Sequence, residues 1–165
     1  MDSEIIIRPV EEKDFEEIHR IFLNIIQKGD SYVNRPDTTK EEIHVKWIKN
    51  SIPTFVAELN GKVVGAYSLR NNHIDLGSHV ANASYIVDEN IRGKGIGKKL
   101  GEHSLKIAKN LGYKAIQFNF VVSTNKVAVN LWRSLGFNII GTVPKAYQHQ
   151  QLKTLVDVYI MHREL

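Results

Sequence analysis

Residues 92–97 read Arg92-Gly93-Lys94-Gly95-Ile96-Gly97, and no other stretch restricts the chain as tightly. Alternating glycines interrupt a helix or strand, permit positive φ, and let backbone approach a ligand closely. Before them, residues 79–87 read as a strand. After them, Leu100, Leu105, Ile107, Ala108 and Leu111 mark the apolar face of a helix. The run is therefore a strand-to-helix turn. A helix start presents unpaired N–H groups and the positive end of the helix dipole, so it holds anions. Arg92, Lys94, Lys98 and Lys99 add charge at the same mouth, and a diphosphate is the expected ligand.

Two known phosphate motifs do not fit this turn. A nucleoside-triphosphate loop needs a glycine, four residues and then Gly-Lys-Ser/Thr, which the run does not supply. A dinucleotide fingerprint needs a third glycine where Gly95-Ile96-Gly97 is followed by Leu100 and Gly93-Lys94-Gly95 by Lys98. A glycine turn without a ligand is the remaining alternative, and the charge gathered around it argues against that.

The rest of the chain alternates strand and helix signals. Residues 4–10 contain Ile5-Ile6-Ile7 and stop at Pro9, as a first strand would. From Asp14, the residues Phe15, Ile18, Ile21, Phe22, Ile25 and Ile26 recur at helical spacing, and Gly29 ends that helix. Residues 30–37 form a loop. Thr38 and Thr39, followed three positions later by Glu41 and Glu42, are capping-box signals for a second helix bearing Ile43, Trp47 and Ile48. Asn60-Gly61, between strands at 55–59 and 62–69, is a type I′ hairpin signal. Residues 114–122 read as a strand after Gly112. Residues 125–135 read as a helix with Ala128, Leu131, Trp132 and Leu135 on one side, ended by Gly136, and 137–143 and 154–161 are two last strands. The order predicts an α/β mixture around one sheet.

Composition narrows the function. No repeat or linker interrupts the 165 residues, of which 42% are hydrophobic, so one domain spanning 1–165 with its own core is expected. The absence of cysteine removes disulfides, thiolate nucleophiles and thiolate metal sites, which suits a cytoplasmic protein. No secretory signal opens the sequence, and no apolar run approaches the roughly 18 residues that span a bilayer, so no membrane partner is expected. No His/Asp/Glu spacing fits a metal site, and no metal is expected. The formal charge of +4 favours anionic ligands but forms no dense block, and no nucleic-acid motif accompanies it, so nucleic acid is not expected as a partner.

The glycine turn resembles the Arg/Gln-x-x-Gly-x-Gly/Ala motif of the GNAT superfamily of N-acetyltransferases. Asn125-Lys126-Val127-Ala128, Leu131-Trp132 and Leu135-Gly136-Phe137 resemble its second signature, Asn-x-x-Ala-x-x-Leu-Tyr-x-x-x-Gly-Phe. The resemblance implies the GNAT fold, an α+β arrangement with a mixed, mostly antiparallel, splayed sheet of about seven strands flanked by about four helices. It implies direct transfer of acetyl from acetyl-CoA to an amine. The turn from Arg92 through Gly93, Lys94, Gly95, Ile96 and Gly97 to Lys98 would cradle the pyrophosphate. The strand backbone at Tyr85, Ile86 and Val87 would bond the pantetheine arm, and Asn125 and Trp132 would touch the coenzyme. Asn125 is equally suited to cap its helix. Family members are often dimers, so a homodimer is the assembly implied.

The sequence also departs from the family. Trp132 stands where a tyrosine commonly protonates the leaving thiolate, and an indole N–H does not act as an acid at neutral pH. Tyr32, Tyr85 and Tyr147 are the substitutes the sequence offers, and core packing is the plainer role for Trp132. Asn82 and Asn119 fall in strands, where asparagine is depleted. Their surroundings, Ser78-His79-Val80-Ala81-Asn82 and 118–125, resemble a subgroup that includes the yeast acetyltransferase of azetidine-2-carboxylate and proline analogues. There the matching asparagines line the acceptor site, so Asn82 and Asn119 are expected to hold and position the acceptor. Asp30 and Tyr32, in the loop after the first helix, are candidate acceptor contacts, and His79 is a candidate base. The expected activity is N-acetylation of a small-molecule amine acceptor, an amino or imino acid or similar. The alternatives are a protein or peptide N-terminal acetyltransferase and a non-catalytic acyl-CoA sensor.

Overall fold

The computed structural model describes residues 4–50, 52–91 and 93–165. In chain order the elements are β1 (Ile5–Pro9), α1 (Phe15–Lys28), α2 (Lys40–His44), β2 (Thr54–Leu59), β3 (Lys62–Asn71), β4 (Val80–Val87), α3 (Ile96–Asn110), β5 (Ala115–Val122), α4 (Lys126–Ser134), β6 (Asn138–His149) and β7 (Thr154–Glu164). Local chemistry sets most of these boundaries. Gly29 closes α1 with φ of 60°. Of the two capping boxes in the sequence, Thr39 with Glu42 is the one formed: the Thr39 hydroxyl accepts from the Glu42 N–H and the Glu42 carboxylate from the Thr39 N–H. Asn60 and Gly61 take φ of 52° and 76°, the pair of positive values a type I′ hairpin needs.

The seven strands form one sheet in the order β1-β2-β3-β4-β5-β7-β6. Every neighbouring pair is antiparallel except β4 and β5, which are parallel and paired only at Val80↔Ala115 and Ala81↔Ile116. Beyond those pairs the sheet splays. On one face α1, α2 and the turn after α2 bury Phe22, Ile26, Ile43 and Trp47 against Val56, Ala66 and Ile86. On the other, α3 and α4 bury Leu100, Val129, Trp132 and Leu135 against Tyr67, Ala81, Ile116 and Phe118. Gly97 and Gly101 make that packing close. A Cβ at Gly97 would lie 3.2 Å from Leu131, and one at Gly101 would lie 2.4 Å from Leu135. Gly97 has ordinary helical backbone, so its small size serves the seating of α4 on α3.

Two elements differ from the sequence expectation. The second helix does not continue as one α-helix. It passes into a π-helical turn, Val45–Lys49, closed by Asn50 N–H bonding Val45 carbonyl at 3.0 Å, and the wider turn keeps Ile43 and Trp47 both fully buried. The final strands are longer than 137–143 and 154–161. β6 continues past Val143 through Pro144 by a register shift between Val143 and Tyr147. There Lys145 takes φ of 52° and donates its N–H to Asp157 at 3.0 Å. The extended hairpin reaches the loop after α1, where Gln150 N–H bonds Gly29 carbonyl at 2.9 Å and the Tyr147 hydroxyl donates to Tyr32 carbonyl at 3.1 Å.

Two buried carboxylates tie the outer elements to the sheet. Asp14 takes Arg8 at 2.8 Å, and Asp88, just past β4, takes Arg20 of α1 at 2.5 Å and the Asn90 N–H at 3.0 Å. Burial pushes both carboxyl pKa values up, but the guanidinium and backbone donors outweigh it and hold both below 3.8. Depressed folded-state values contribute stability that is present above the unfolded pKa and lost as pH falls through the folded pKa. The thermal midpoint is therefore expected to fall on acidification below about pH 4. Asp88→Asn is expected to cost about 2 kcal/mol near neutrality and to shallow that acid limb, as measured by thermal unfolding across pH.

Candidate functional site

The splayed sheet leaves one edge of β4 open. Val80 carbonyl and Asp88 N–H bond towards β3, each at 2.8 Å. By the two-residue alternation of a strand, Ala81, Ala83, Tyr85 and Val87 turn their backbone groups the other way. Ala81 meets β5, while Ala83, Tyr85 and Val87 face the gap. Side chains take two of these groups: the Asn82 side-chain oxygen accepts the Ala83 N–H, and the Tyr32 hydroxyl donates to the Tyr85 carbonyl, both at 2.7 Å. Ile86 belongs to the β3-facing set, with its side chain in the core under α1. Of the run Tyr85, Ile86 and Val87, then, Ile86 is the member whose backbone cannot face the gap.

A cavity of about 230 Å³ occupies the split. One side is formed by Tyr32, Lys46, Arg70, Asn82 and Ser84, the other by Phe118, Phe120, Asn125 and Trp132. The Asn125 side chain accepts the Ala128 N–H at 3.2 Å and caps α4 while bordering the cavity. Trp132 is 8% exposed and packs on Tyr85 and Phe118 at 4.6 and 4.7 Å between ring centroids. It is both core and cavity wall.

The glycine turn lies where β4 leads into α3. Gly93 and Gly95 have φ of 78° and 70°, and a Cβ at either would meet nothing within 4 Å. Their mouth is open, with Lys94, Lys98 and Lys99 exposed around it. The first turn of α3 begins at Ile96, and its leading N–H groups have no intrahelical acceptor. The backbone here suits a diphosphate: left-handed positions without side chains, a helix start and lysines. Arg92 lies outside the described residues.

The other residues singled out by the sequence divide. Asn82 borders the cavity. Asn119 is exposed and does not line it. The two are joined through Asn72, in the loop after β3, whose side-chain oxygen accepts from Asn119 at 2.6 Å and from Asn82 at 3.3 Å. Tyr32 lines the cavity, but Asp30 does not. His79 is exposed and outside the lining.

The three tyrosines offered in place of Trp132 all have engaged hydroxyls. Tyr32 bonds the Tyr85 carbonyl, Tyr85 bonds Ser104 beneath α3 at 2.7 Å, and Tyr147 bonds the Tyr32 carbonyl. Burial raises the pKa of all three, so they stay neutral phenols at physiological pH.

Sequence reasoning missed Asn72, Ser84, Lys46 and Arg70. Arg70 lies opposite Asn82 in the β3–β4 register, a relation that no local signal encodes. Lys46 reads as one more solvent-facing lysine until the π-helical turn places it over Phe22 and Tyr32, 5.9 Å from each ring centre. Among the described residues no group of three or more His, Asp or Glu side chains could hold a metal ion. None of the described helices is long and apolar enough to cross a membrane.

Comparison with known proteins gives a consistent match. A family model described as Acetyltransferase (GNAT) family matches residues 15–137. A solved GCN5-related N-acetyltransferase from Kribbella flavida superposes with a TM-score of 0.93 at 39% identity, covering 98% of each chain. The L-amino acid N-acetyltransferase AaaT of Escherichia coli K12 is 28% identical over 168 residues, 98% of each chain. N-acetyltransferase aca1 of Schizosaccharomyces pombe is 33% identical over 98 residues, 59% of this chain and 47% of that one. The chain thus spans about half of that relative's length.

The asparagine bridge generates a stability prediction. Asn72→Ala removes the acceptor shared by Asn82 and Asn119, and urea unfolding is expected to show a loss of about 1 kcal/mol. Asn119→Ala, at an exposed position, is expected to cost less.

Proposed function

The chain belongs to the GNAT family of acetyltransferases, and on that footing we propose that it transfers acetyl directly from acetyl-CoA to the amine of a small acceptor, an amino or imino acid or similar. The observation that carries the reading is the open edge of β4, which runs from the cavity at Asn82 towards the bare glycine turn at the start of α3. In this reading Gly93, Lys94, Gly95, Ile96, Gly97 and Lys98 hold the coenzyme's diphosphate, with Arg92 beside them. The backbone of Tyr85 and Val87 holds its arm, and Asn125 and Trp132 wall the thioester end. Bound acetyl-CoA supplies an activated acetyl thioester: the acceptor nitrogen bonds the carbonyl carbon, the carbon–sulfur bond breaks, and one proton passes from nitrogen to the departing thiolate or to water. The Tyr85 N–H, on the open edge, is placed to polarise the carbonyl.

Acid–base chemistry in this reading is spare. No Asp, Glu or His belongs to the described cavity lining, so no carboxylate or imidazole there serves as a general base. The amine loses its proton to water. At the other end, a thiol pKa near ~8.5 makes the thiolate a tolerable leaving group without the family tyrosine. Asn82 lines the acceptor pocket, Tyr32 forms part of its wall, and Asn119 acts through Asn72. The resemblance to the azetidine-2-carboxylate subgroup, a single domain over 1–165 and a cytoplasmic setting belong to the same proposal, and the name of AaaT supports an amino-acid acceptor.

Thiol release from acetyl-CoA across an amine panel tests the reading, and binding of the coenzyme without turnover on any amine would favour a sensor instead. Gly95→Ala is expected to cost about 1 kcal/mol of stability for its left-handed backbone and to raise the KM for acetyl-CoA about tenfold by filling the mouth. Asn82→Ala is expected to raise the acceptor KM more than Asn119→Ala does, and an unchanged acceptor KM in both would remove the asparagines from the site. With no carboxylate or imidazole base in the described cavity lining, kcat/KM is expected to rise with pH until the acceptor's own amine is deprotonated.

A further inference from the structure

We infer that Lys46 and Arg70 form a carboxylate-recognising subsite inside the cavity, so that the acceptor is an α-amino or imino acid held by its carboxylate. The inference rests on the acetyl-transfer reading above and sharpens its acceptor. Ala66, Ser68 and Arg70 stand opposite Ile86, Ser84 and Asn82 in register, which places Arg70 and Asn82 side by side on the α1 face of the sheet. Arg70 donates to the Ser84 hydroxyl at 3.0 Å, which anchors one corner of a guanidinium that has further N–H donors. Lys46 reaches the same cavity from the π-helical turn, its ammonium lying near the rings of Phe22 and Tyr32.

The charge of this cavity is unbalanced. Its described lining holds two cations, Lys46 and Arg70, and no carboxylate. Elsewhere two half-buried arginines sit on carboxylates, Arg8 on Asp14 and Glu58, and Arg20 on Asp88 and Glu17, while Arg163 donates to the Leu135 carbonyl. Burial lowers the pKa of both Lys46 and Arg70, and the charge of Arg70 lowers Lys46 further. Like charges drawn out of water without a counter-ion destabilise a fold, and such a cluster is explained when a ligand supplies the missing charge. A carboxylate matches both partners: the guanidinium fork grips two oxygens, and the ammonium acts as a point charge. An amide or a bare amine offers no such charge. The residue at a peptide N-terminus carries its carboxyl as an amide, so the subsite also separates a free amino acid from a protein substrate.

The test compares the best-accepted L-amino or imino acid with its amide and its decarboxylated amine, by thiol release at saturating acetyl-CoA. The expected wild-type preference for the acid over the amide is about 100-fold in kcat/KM, below the ~10⁴-fold by which a site built for a polar group rejects its complete absence, because the amide keeps one acceptor oxygen. Arg70→Gln and Lys46→Gln are each expected to cut kcat/KM for the acid about tenfold or more while the amide falls far less, with Arg70→Lys recovering part of the loss. Lys46→Met is expected to raise the thermal midpoint while lowering the preference for the acid, a combination a purely structural lysine would not give. Equal use of acid and amide by the wild type, an equal loss on all three substrates, or a rise only in the KM for acetyl-CoA would each overturn the subsite. If no amine is acetylated, the transfer reading fails by itself. Calorimetry of the free amino acid against its amide then decides the subsite: preference for the acid that Arg70→Gln abolishes supports it, and equal binding or none overturns it.

Discussion

Two residue pairs, Val80 with Ala115 and Ala81 with Ile116, make all the pairing between β4 and β5, and the site depends on how soon that pairing ends. Had it continued, β5 would occupy the backbone groups of Ala83, Tyr85 and Val87, and no cavity would separate the strands. The halves stay together because packing replaces the ladder. Trp132 packs at a tilt on Tyr85 and Phe118, and Phe118 stacks on Phe137, across the α3–α4 side, while Asn72 ties Asn82 to Asn119 on the other. The gap is thus held open by aromatic bulk and bridged by amides.

The walls of the gap come from distant parts of the chain. The loop after α1 carries Tyr32, which bonds the open β4 edge and is bonded in turn by Tyr147 from β6. Gln150 at the hairpin tip bonds Gly29, where a side chain would collide with it. The long β6–β7 hairpin therefore acts on the cavity through the loop it presses on. At the other end of β4, Asp88 fixes the entry to the glycine turn by joining α1 through Arg20 and the turn through Asn90. One strand is thereby braced at both ends of its open edge.

Much of this was legible locally because it is stated in short-range terms. Gly29, the Thr39–Glu42 box, Asn60-Gly61 and Asn125 each solve a turn or cap within a few residues, and each stands where the sequence puts it. Signals that a local rule misreads were lost. The strand expected over 137–143 runs on through Pro144, which cannot donate to a ladder, because a bulge absorbs it. Gly97 continues the glycine pattern of the turn, and no local signal tells that its lack of a side chain also seats α4, where a Cβ would lie 3.2 Å from Leu131. Tyr85 looks like an available acid, yet strand alternation sends its ring under α3 to Ser104.

By itself, the sequence determined the α/β order, the strand-to-helix glycine turn with its left-handed backbone, and the family to which both signatures point. Those features lie within single segments, where spacing and residue type already fix the geometry. Only the tertiary structure decided what surrounds the split: that Asn82 borders the cavity while Asn119 lies outside its lining, that Asn72 joins them, that Ile86 faces away, and that Lys46 and Arg70 share one pocket whose described lining holds no carboxylate. Register between β3 and β4 and the π-helical turn after α2 set those neighbours. Each is a relation between segments, fixed by burial of whole faces rather than by any residue's own preference.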